Sequence, residues 1–240
     1  MTTPTAASIL GQDSEDWRII CDFDGTITPF DVTDALLKRF AHPAWEEVEA
    51  EWLAGRITAR ACMDRQVRLL DAPIHLLDDF LDSVPLTDGF ADFAQDCASR
   101  GVSCTVVSDG LDYAIRRILS RHGVRDMPII ANRLRRMGAS AYRLEFPFGK
   151  AGCPSGVCKC GVAQALGGKI LLIGDGHSDC CLAGISSLVL ARQGKELQGH
   201  CEREGYPHLT FVDFHDVALR LAEAAHPQSV PAALAAAGTV

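Results

Sequence analysis

The chain lacks a basic surplus. Its 240 residues carry 23 Lys and Arg against 31 Asp and Glu, a formal net charge of -8. A nucleic-acid surface needs an excess of positive charge to displace phosphate counterions, so no nucleic-acid partner is expected. Long apolar runs are missing as well. No uninterrupted stretch approaches the ~20 residues of a bilayer span. The segment from Met1 to Asp16 has neither the basic start nor the apolar run of a secretory leader, so no membrane partner is expected and the cytoplasm is the expected compartment. No internal repeat is present. Cysteine, by contrast, is plentiful at ten residues, yet the ten form no regular framework of the kind that staples small secreted domains. Cys21, Cys62, Cys97 and Cys104 sit singly in apolar or mixed segments and read as small buried hydrophobes. The group Cys153, Cys158 and Cys160 leaves three readings open: free thiols around a loop, a zinc site short of a fourth ligand, or a disulfide between Cys153 and Cys158.

The hydrophobic fraction of 48% and charged fraction of 22% belong to an ordinary globular protein, long enough for one sizeable core and a smaller subdomain. Trp17 to Phe23 reads as a short apolar strand that stops at Asp24-Gly25. From Val32 to Leu81 the pattern turns helical, with Ala35, Leu36, Phe40, Trp45, Val48 and Trp52 recurring at helical steps. Pro43, Gly55 and Pro73 divide that stretch into several helices. After it, strands and helices alternate. A helix over Phe90–Ser99 precedes a strand over Val102–Val107, a helix over Leu111–His122 and a strand over Met127–Leu134. Tyr142–Phe146 is expected to pair with its neighbour, Val162–Leu166 is a helix and Lys169–Ile173 a strand. A helix then starts at Asp179–Gly184, Leu188–Ala191 is a short strand, and Phe214–Ala225 is a terminal helix. Strands separated by helices imply an α/β fold with a parallel sheet covered on both faces.

In such a sheet, ligands bind beyond the carboxyl ends of the strands. Three predicted strand ends carry reactive residues: Asp22-Phe23-Asp24-Gly25-Thr26, then Ser108-Asp109-Gly110, then Gly174-Asp175-Gly176 with Ser178-Asp179 beyond. Carboxylates gathered at one point repel one another unless they share a cation. Hard oxygen ligands from Asp22, Asp175 and a backbone carbonyl suit Mg²⁺. A carboxylate of this kind can attack phosphorus and form an aspartyl-phosphate. A second Asp, two residues on, is suited to serve as general acid and then general base. Ser108, neighbouring N–H groups and a lysine would hold the phosphate oxygens. Each feature also has a plain structural reading. An Asp-Gly pair makes a turn and Ser108 can cap a helix. Lys150 and Lys169 compete with Lys159. His177 can face solvent, Asp31 and Asp34 can cap a helix, and Arg133, Arg135 and Arg136 can form a solvated hairpin face.

Taken in order, Asp22-Phe23-Asp24-Gly25-Thr26-Ile27-Thr28, Val106-Val107-Ser108-Asp109-Gly110, Lys159, and Gly174-Asp175-Gly176-His177-Ser178-Asp179 resemble the four motifs of the haloacid dehalogenase-like hydrolase superfamily. The helical insertion and Ala131-Asn132-Arg133-Leu134 resemble its phosphoserine phosphatase-like branch. The Cys-rich approach to Lys159 is similar to that of the methionine-salvage phosphatase group, which acts on a phosphorylated methylthio-ketopentene. Two residues depart from the branch: Ser178 stands where Asn is usual, and Asp109 where a second Gly is common.

The resemblance implies a Rossmann-like three-layer core over residues 16–29 and 86–225, a helical cap over 30–85 inserted after the first strand, and flexible termini at 1–15 and 226–240. It implies Asp22 as nucleophile and metal ligand, and Asp24 as acid/base and ligand through its carbonyl. Asp175 and Asp179 would complete a Mg²⁺ site. Ser108, Asp109, Gly110 and Lys159 would bind phosphate, with Asp31, Asp34, His177 and Ser178 placed to select the substrate. The expected activity is hydrolysis of a small-metabolite phosphomonoester. The alternatives are phosphoryl transfer through the same intermediate, or a binding protein that keeps a dead enzyme's shell. The physiological substrate and the oligomeric state are not legible.

Overall fold

The computed structural model describes residues 16–223. The expectations of flexible termini at 1–15 and 226–240 fall outside them. A seven-stranded sheet runs through the centre in the order β4-β3-β2-β1-β5-β6-β7. These strands span Trp17–Cys21 (β1), Ser103–Leu111 (β2), Ile129–Arg136 (β3), Tyr142–Glu145 (β4), Lys169–Gly174 (β5), Leu188–Arg192 (β6) and His208–Phe211 (β7). All neighbours pair in parallel except β3 and β4, which form the antiparallel hairpin that the alternation of Tyr142–Phe146 predicts. β1 lies between β2 and β5, so the strand order reverses beside it. That is the switch point at which an open α/β sheet leaves a crevice for a ligand.

Alternation along β1 distributes its side chains to two cores. Ile19 and Cys21 join a cluster with Phe90, Phe93, Ile115, Ile118, Phe214 and Leu221, while Ile20 joins Val162, Ala163, Leu182, Leu197 and Cys201. Helices α5 (Phe90–Ser99), α6 (Asp112–Arg121) and α10 (Phe214–Glu223) therefore cover one face. Helices α7 (Lys159–Leu166), α8 (Cys180–Ala183) and α9 (Glu196–Glu204) cover the other. Phe214 ties the first layer together, its ring centroid 4.8 Å from that of Phe90 and 5.4 Å from that of Phe93. Fully buried side chains of this size each contribute roughly 1.5–3 kcal/mol.

Between β1 and α5 the chain forms four short helices: α1 (Val32–Phe40), α2 (Trp45–Leu53), α3 (Ala59–Val67) and α4 (Ile74–Leu81). Their breaks fall at Pro43, Gly55 and Pro73, as the sequence implies. Asp31 caps α1 by accepting the Asp34 N–H at 2.8 Å, and Thr58 caps α3 by accepting the Ala61 N–H at 3.2 Å. Leu36, Leu37, Trp45, Val67, Leu77 and Leu81 bury themselves in the cluster shared with the sheet, so this insertion packs onto the core rather than standing off it.

Several boundaries differ from the sequence reading. β2 runs on to Leu111, with a register shift between Val107 and Leu111 against β3 that carries Ser108 and Asp109 round the rim. α7 starts at Lys159 rather than at Val162. α9 and β7 have no counterpart in that reading. Of the described helices, none is long and apolar enough to cross a membrane.

Candidate active site

The site grows from the end of β1. Asp22 is the first residue past the strand. Its backbone N–H donates to the Ile173 carbonyl of β5 at 2.9 Å, and its Oδ1 accepts the Phe23 N–H at 2.8 Å. The following turn, Phe23–Ile27, closes when the Thr28 N–H donates to the Phe23 carbonyl at 3.0 Å. Gly25 turns it with φ of +73°, a left-handed conformation that a side chain would strain, and a Cβ there would also collide with the Asp175 carboxylate. The turn therefore swings Asp24 away from Asp22. The Asp24 Oδ1 accepts the Val32 N–H at 2.7 Å, which ties this carboxylate to the first turn of the cap.

β5 supplies the opposing wall. The Asp175 Oδ1 accepts a hydrogen bond from the Thr26 hydroxyl at 3.2 Å. Asp179 folds back, with its Oδ2 accepting the Asp175 and Gly176 N–H groups, each at 3.2 Å. Between the walls stands Lys159, 1% exposed, whose Nζ lies 2.7 Å from Asp179 Oδ1 and 2.9 Å from Asp22 Oδ1. Ser108, fully buried on β2, accepts the Gly110 N–H at 2.9 Å. A Cβ at Gly110 would stand 2.5 Å from Asp24 Oδ2 and 3.1 Å from Ser108 Oγ, so a side chain there would push the Asp24 carboxylate aside.

Burial dominates the electrostatics. It raises the carboxyl pKa of Asp22, with Asp179's charge adding to the rise and Lys159 opposing it. Burial also raises Asp24, with Asp31's charge next in weight and the Val32 N–H opposing. Asp175 is pushed up to about 6 by burial and by Asp179. For Lys159, burial alone would lower the ammonium, but the Asp179 and Asp22 carboxylates outweigh it and hold the pKa above its ordinary value. Lys159, with Lys195 at the cavity wall, cannot balance this many carboxylates. A carboxylate oxygen from each of Asp22, Asp175 and Asp179 lies within 4.8 Å of the others, an all-oxygen donor set that fits a hard divalent cation such as Mg²⁺.

The other predicted residues are spread around this centre. Asp109 lines the cavity, but its carboxylate accepts the Val157 N–H at 2.6 Å and so anchors the loop leading to Lys159. Asp31 and Asp34 face the cavity from α1 while also serving the helix: Asp31 is its cap, and Asp34 pairs with Lys38. His177 and Ser178 stand at the rim, with His177 Nδ1 3.3 Å from Glu196 Oε1. All ten thiols are unpaired, and among the described residues Cys153, Cys158 and Cys160 form no group with ligand atoms close enough to share a metal. Arg133 and Arg135 pair with Glu145 on the exposed hairpin.

Sequence reasoning missed two supports. Thr87 donates its hydroxyl to the Thr26 carbonyl at 2.8 Å and its N–H to the Ile27 carbonyl at 2.7 Å. Arg192, at the end of β6, donates to the Gly25 carbonyl at 2.5 Å. Neither lies in a motif.

Cap and core enclose a cavity of about 500 Å³ above the carboxylates. The cap contributes Phe30, Leu37, Trp52 and Met63 together with Glu49 and Gln66, and no arginine or lysine. An acidic, lysine-centred pocket at a switch point beneath inserted helices defines a class: an α/β core with both faces of its sheet covered and a helical insertion over the site.

The comparisons with known proteins agree. The family model described as haloacid dehalogenase-like hydrolase matches residues 19–184. A 2-hydroxy-3-keto-5-methylthiopentenyl-1-phosphate phosphatase of Exiguobacterium sp. is 33% identical over 208 residues, covering 83% of this chain and 94% of that protein. A protein of the same name from Brevibacillus brevis is 29% identical over 211 residues, covering 83% and 92%. A substrate-bound phosphoserine phosphatase structure superposes with a TM-score of 0.63 at 20% identity, covering 85% of this chain and 97% of that one. The chain belongs to the haloacid dehalogenase-like hydrolase family. Within it, the protein is a phosphoric monoester hydrolase, and its fold is similar to that of the phosphoserine phosphatase structure.

Proposed function

We propose that this enzyme hydrolyses a small phosphorylated metabolite through an aspartyl-phosphate on Asp22, with Mg²⁺ held by Asp22, Asp175, Asp179 and the Asp24 carbonyl. One observation carries the reading: Asp22, Asp175 and Asp179 come from two strand ends yet place carboxylate oxygens within 4.8 Å of one another, beside a buried ammonium. Nothing in folding requires that concentration of like charge. A bound Mg²⁺ would offset the acidic field and allow a phosphate dianion to enter.

The steps follow from the side chains. An Asp22 carboxylate oxygen attacks phosphorus. The ester oxygen leaves with the electron pair of the broken P–O bond and takes a proton from Asp24, whose raised pKa keeps that proton available. Asp24, now ionised, removes a proton from water as its oxygen attacks the aspartyl-phosphate. The Asp22–phosphorus bond breaks, and inorganic phosphate and free Asp22 are restored. Lys159, Ser108 and the rim N–H groups hold the phosphate oxygens throughout.

For the substrate, the first candidate is the methylthiopentenyl phosphate in the two relatives' names. The cap wall supports it. Phe30, Leu37, Trp52 and Met63 suit a neutral thioether end, and Asp31, Asp34 and Glu49 repel a second anionic group. Purified protein is assayed with p-nitrophenyl phosphate and Mg²⁺, then with a panel that includes phosphoserine and methylthiopentenyl phosphate. The reading expects Mg²⁺-dependent turnover, with the methylthio compound preferred over phosphoserine. Turnover no greater than that of Asp22→Asn would refute it, and capture of the phosphoryl group by an added alcohol in preference to water would make the enzyme a transferase.

A further inference from the structure

The Cys-rich segment before Lys159 has no role in that chemistry, yet it is held more firmly than a surface loop requires. Arg60, the second residue of α3, reaches it from the cap. Its Nε donates to the Ser155 carbonyl at 3.0 Å, and Nη2 donates to the carbonyls of Ser155 at 2.8 Å, Cys153 at 3.0 Å and Lys150 at 3.2 Å. Its backbone N–H donates to the Pro154 carbonyl at 2.9 Å. The guanidinium also lies 6.0 Å from the centroid of the Phe146 ring, at the start of the same loop.

On its far side the loop is fixed to the core. The Val157 N–H donates to the Asp109 carboxylate, and the Cys158 N–H to the Phe148 carbonyl at 3.0 Å. The Asp109 carbonyl in turn accepts from the Asn132 amide. Lys159 follows immediately, already in the first turn of α7.

We propose that Arg60 is a positioning residue that joins cap closure to the placement of Lys159. The carbonyls of Lys150, Cys153, Pro154 and Ser155 cannot all reach one guanidinium and one N–H unless the cap is seated and the loop is in this conformation. Seating the cap therefore sets the loop, and the loop sets the base of α7 where the ammonium meets Asp22 and Asp179. A planar guanidinium with fixed donors is suited to this in a way that a lysine is not.

The test uses Arg60→Ala and Arg60→Lys in the full-length protein, and its kinetic arm rests on the phosphatase reading above. Inorganic phosphate is too small to touch both Lys159 and the cap, so its inhibition constant reports Lys159 without reporting lost cap contacts. The proposal expects the phosphate inhibition constant of Arg60→Ala to rise about tenfold and kcat on p-nitrophenyl phosphate to fall by about the same factor. Arg60→Lys should fall in between. A merely structural role would lower the active fraction and leave the inhibition constant where it was, whatever the loss of thermal stability. Amide exchange supplies a readout free of turnover: Cys153 to Lys159 should exchange faster in Arg60→Ala, while β1 and β5 stay protected. An unchanged phosphate inhibition constant, or unchanged exchange across that segment, overturns the proposal. Absence of turnover in the unsubstituted enzyme would sink the phosphatase reading and leave the exchange experiment to decide this one.

Discussion

The rim of the sheet and the wall of the cap meet across one cavity, but they are built in opposite ways. At the rim, each functional group is held by the end of a strand and by backbone hydrogen bonds. Asp22 is fixed by Ile173 and Phe23, Asp179 by two N–H groups and Lys159, and Ser108 by Gly110. At the cap wall, Phe30, Leu37, Trp52 and Met63 come from helices and their connections, and the acidic groups are helix caps or surface ion pairs as much as cavity lining. The rim is preorganised for charge; the wall offers shape. Under the proposed mechanism, the reaction would belong to the first and the choice among substrates to the second.

The largest effect that separates the two is expected at the proposed nucleophile. Asp22→Asn keeps the shape and the Phe23 N–H contact but should lower kcat by about 10⁴-fold or more in steady-state assays. Gly110→Ala comes next. Its methyl would displace the Asp24 carboxylate, so kcat should fall by about 10²-fold while thermal unfolding moves little. A loss smaller than about threefold would show that Asp24 tolerates displacement and is not the proton donor.

Metal removal gives the third test, with a definite dependence on pH. Asp175 has a folded-state pKa of about 6, raised by burial and Asp179 from an ordinary carboxylate value of 3.8. Between those values the folded state binds more protons than the unfolded state, so stability without metal should fall as pH rises through that window. Mg²⁺ should reverse the loss. Its increase in melting temperature is expected to be small at pH 5 and larger at pH 7.5, measured in EDTA against excess Mg²⁺. An increase independent of pH would remove the carboxylate cluster from the account. The smallest effects are expected at the wall. Trp52→Ala or Met63→Ala should raise KM for the physiological substrate by about three- to tenfold with kcat nearly unchanged, and p-nitrophenyl phosphate should notice less. A larger loss in kcat than in KM would erase the distinction between the two regions.

The same contrast explains what could be read in advance. The rim was legible because an apolar strand followed by Asp-Gly, Ser-Asp-Gly or Gly-Asp-Gly is a local signal, and a parallel sheet brings such ends together. The division of the cap into several helices was legible through Pro43, Gly55 and Pro73. Contacts between distant residues were not. Thr87 and Arg192 support the Asp24-Gly25 turn from positions 61 and 167 residues away in the chain, and nothing near either marks that role. Arg60 reaches a loop 90 to 95 residues further on. β7 escaped notice because His208–Phe211 is short and mostly half-buried, with little of the apolar run that marked β1 and β5. The role of the Asp109 carboxylate in anchoring the loop before Lys159 was not legible either, because its partner, the Val157 N–H, lies 48 residues away.

Mass analysis of the enzyme quenched in acid during turnover bears on the nucleophile most directly. The account predicts a phosphoryl adduct confined to the peptide that contains Asp22, formed with Mg²⁺ and absent from Asp22→Asn. An adduct on another residue, or hydrolysis that persists at full rate in Asp22→Asn, would contradict it.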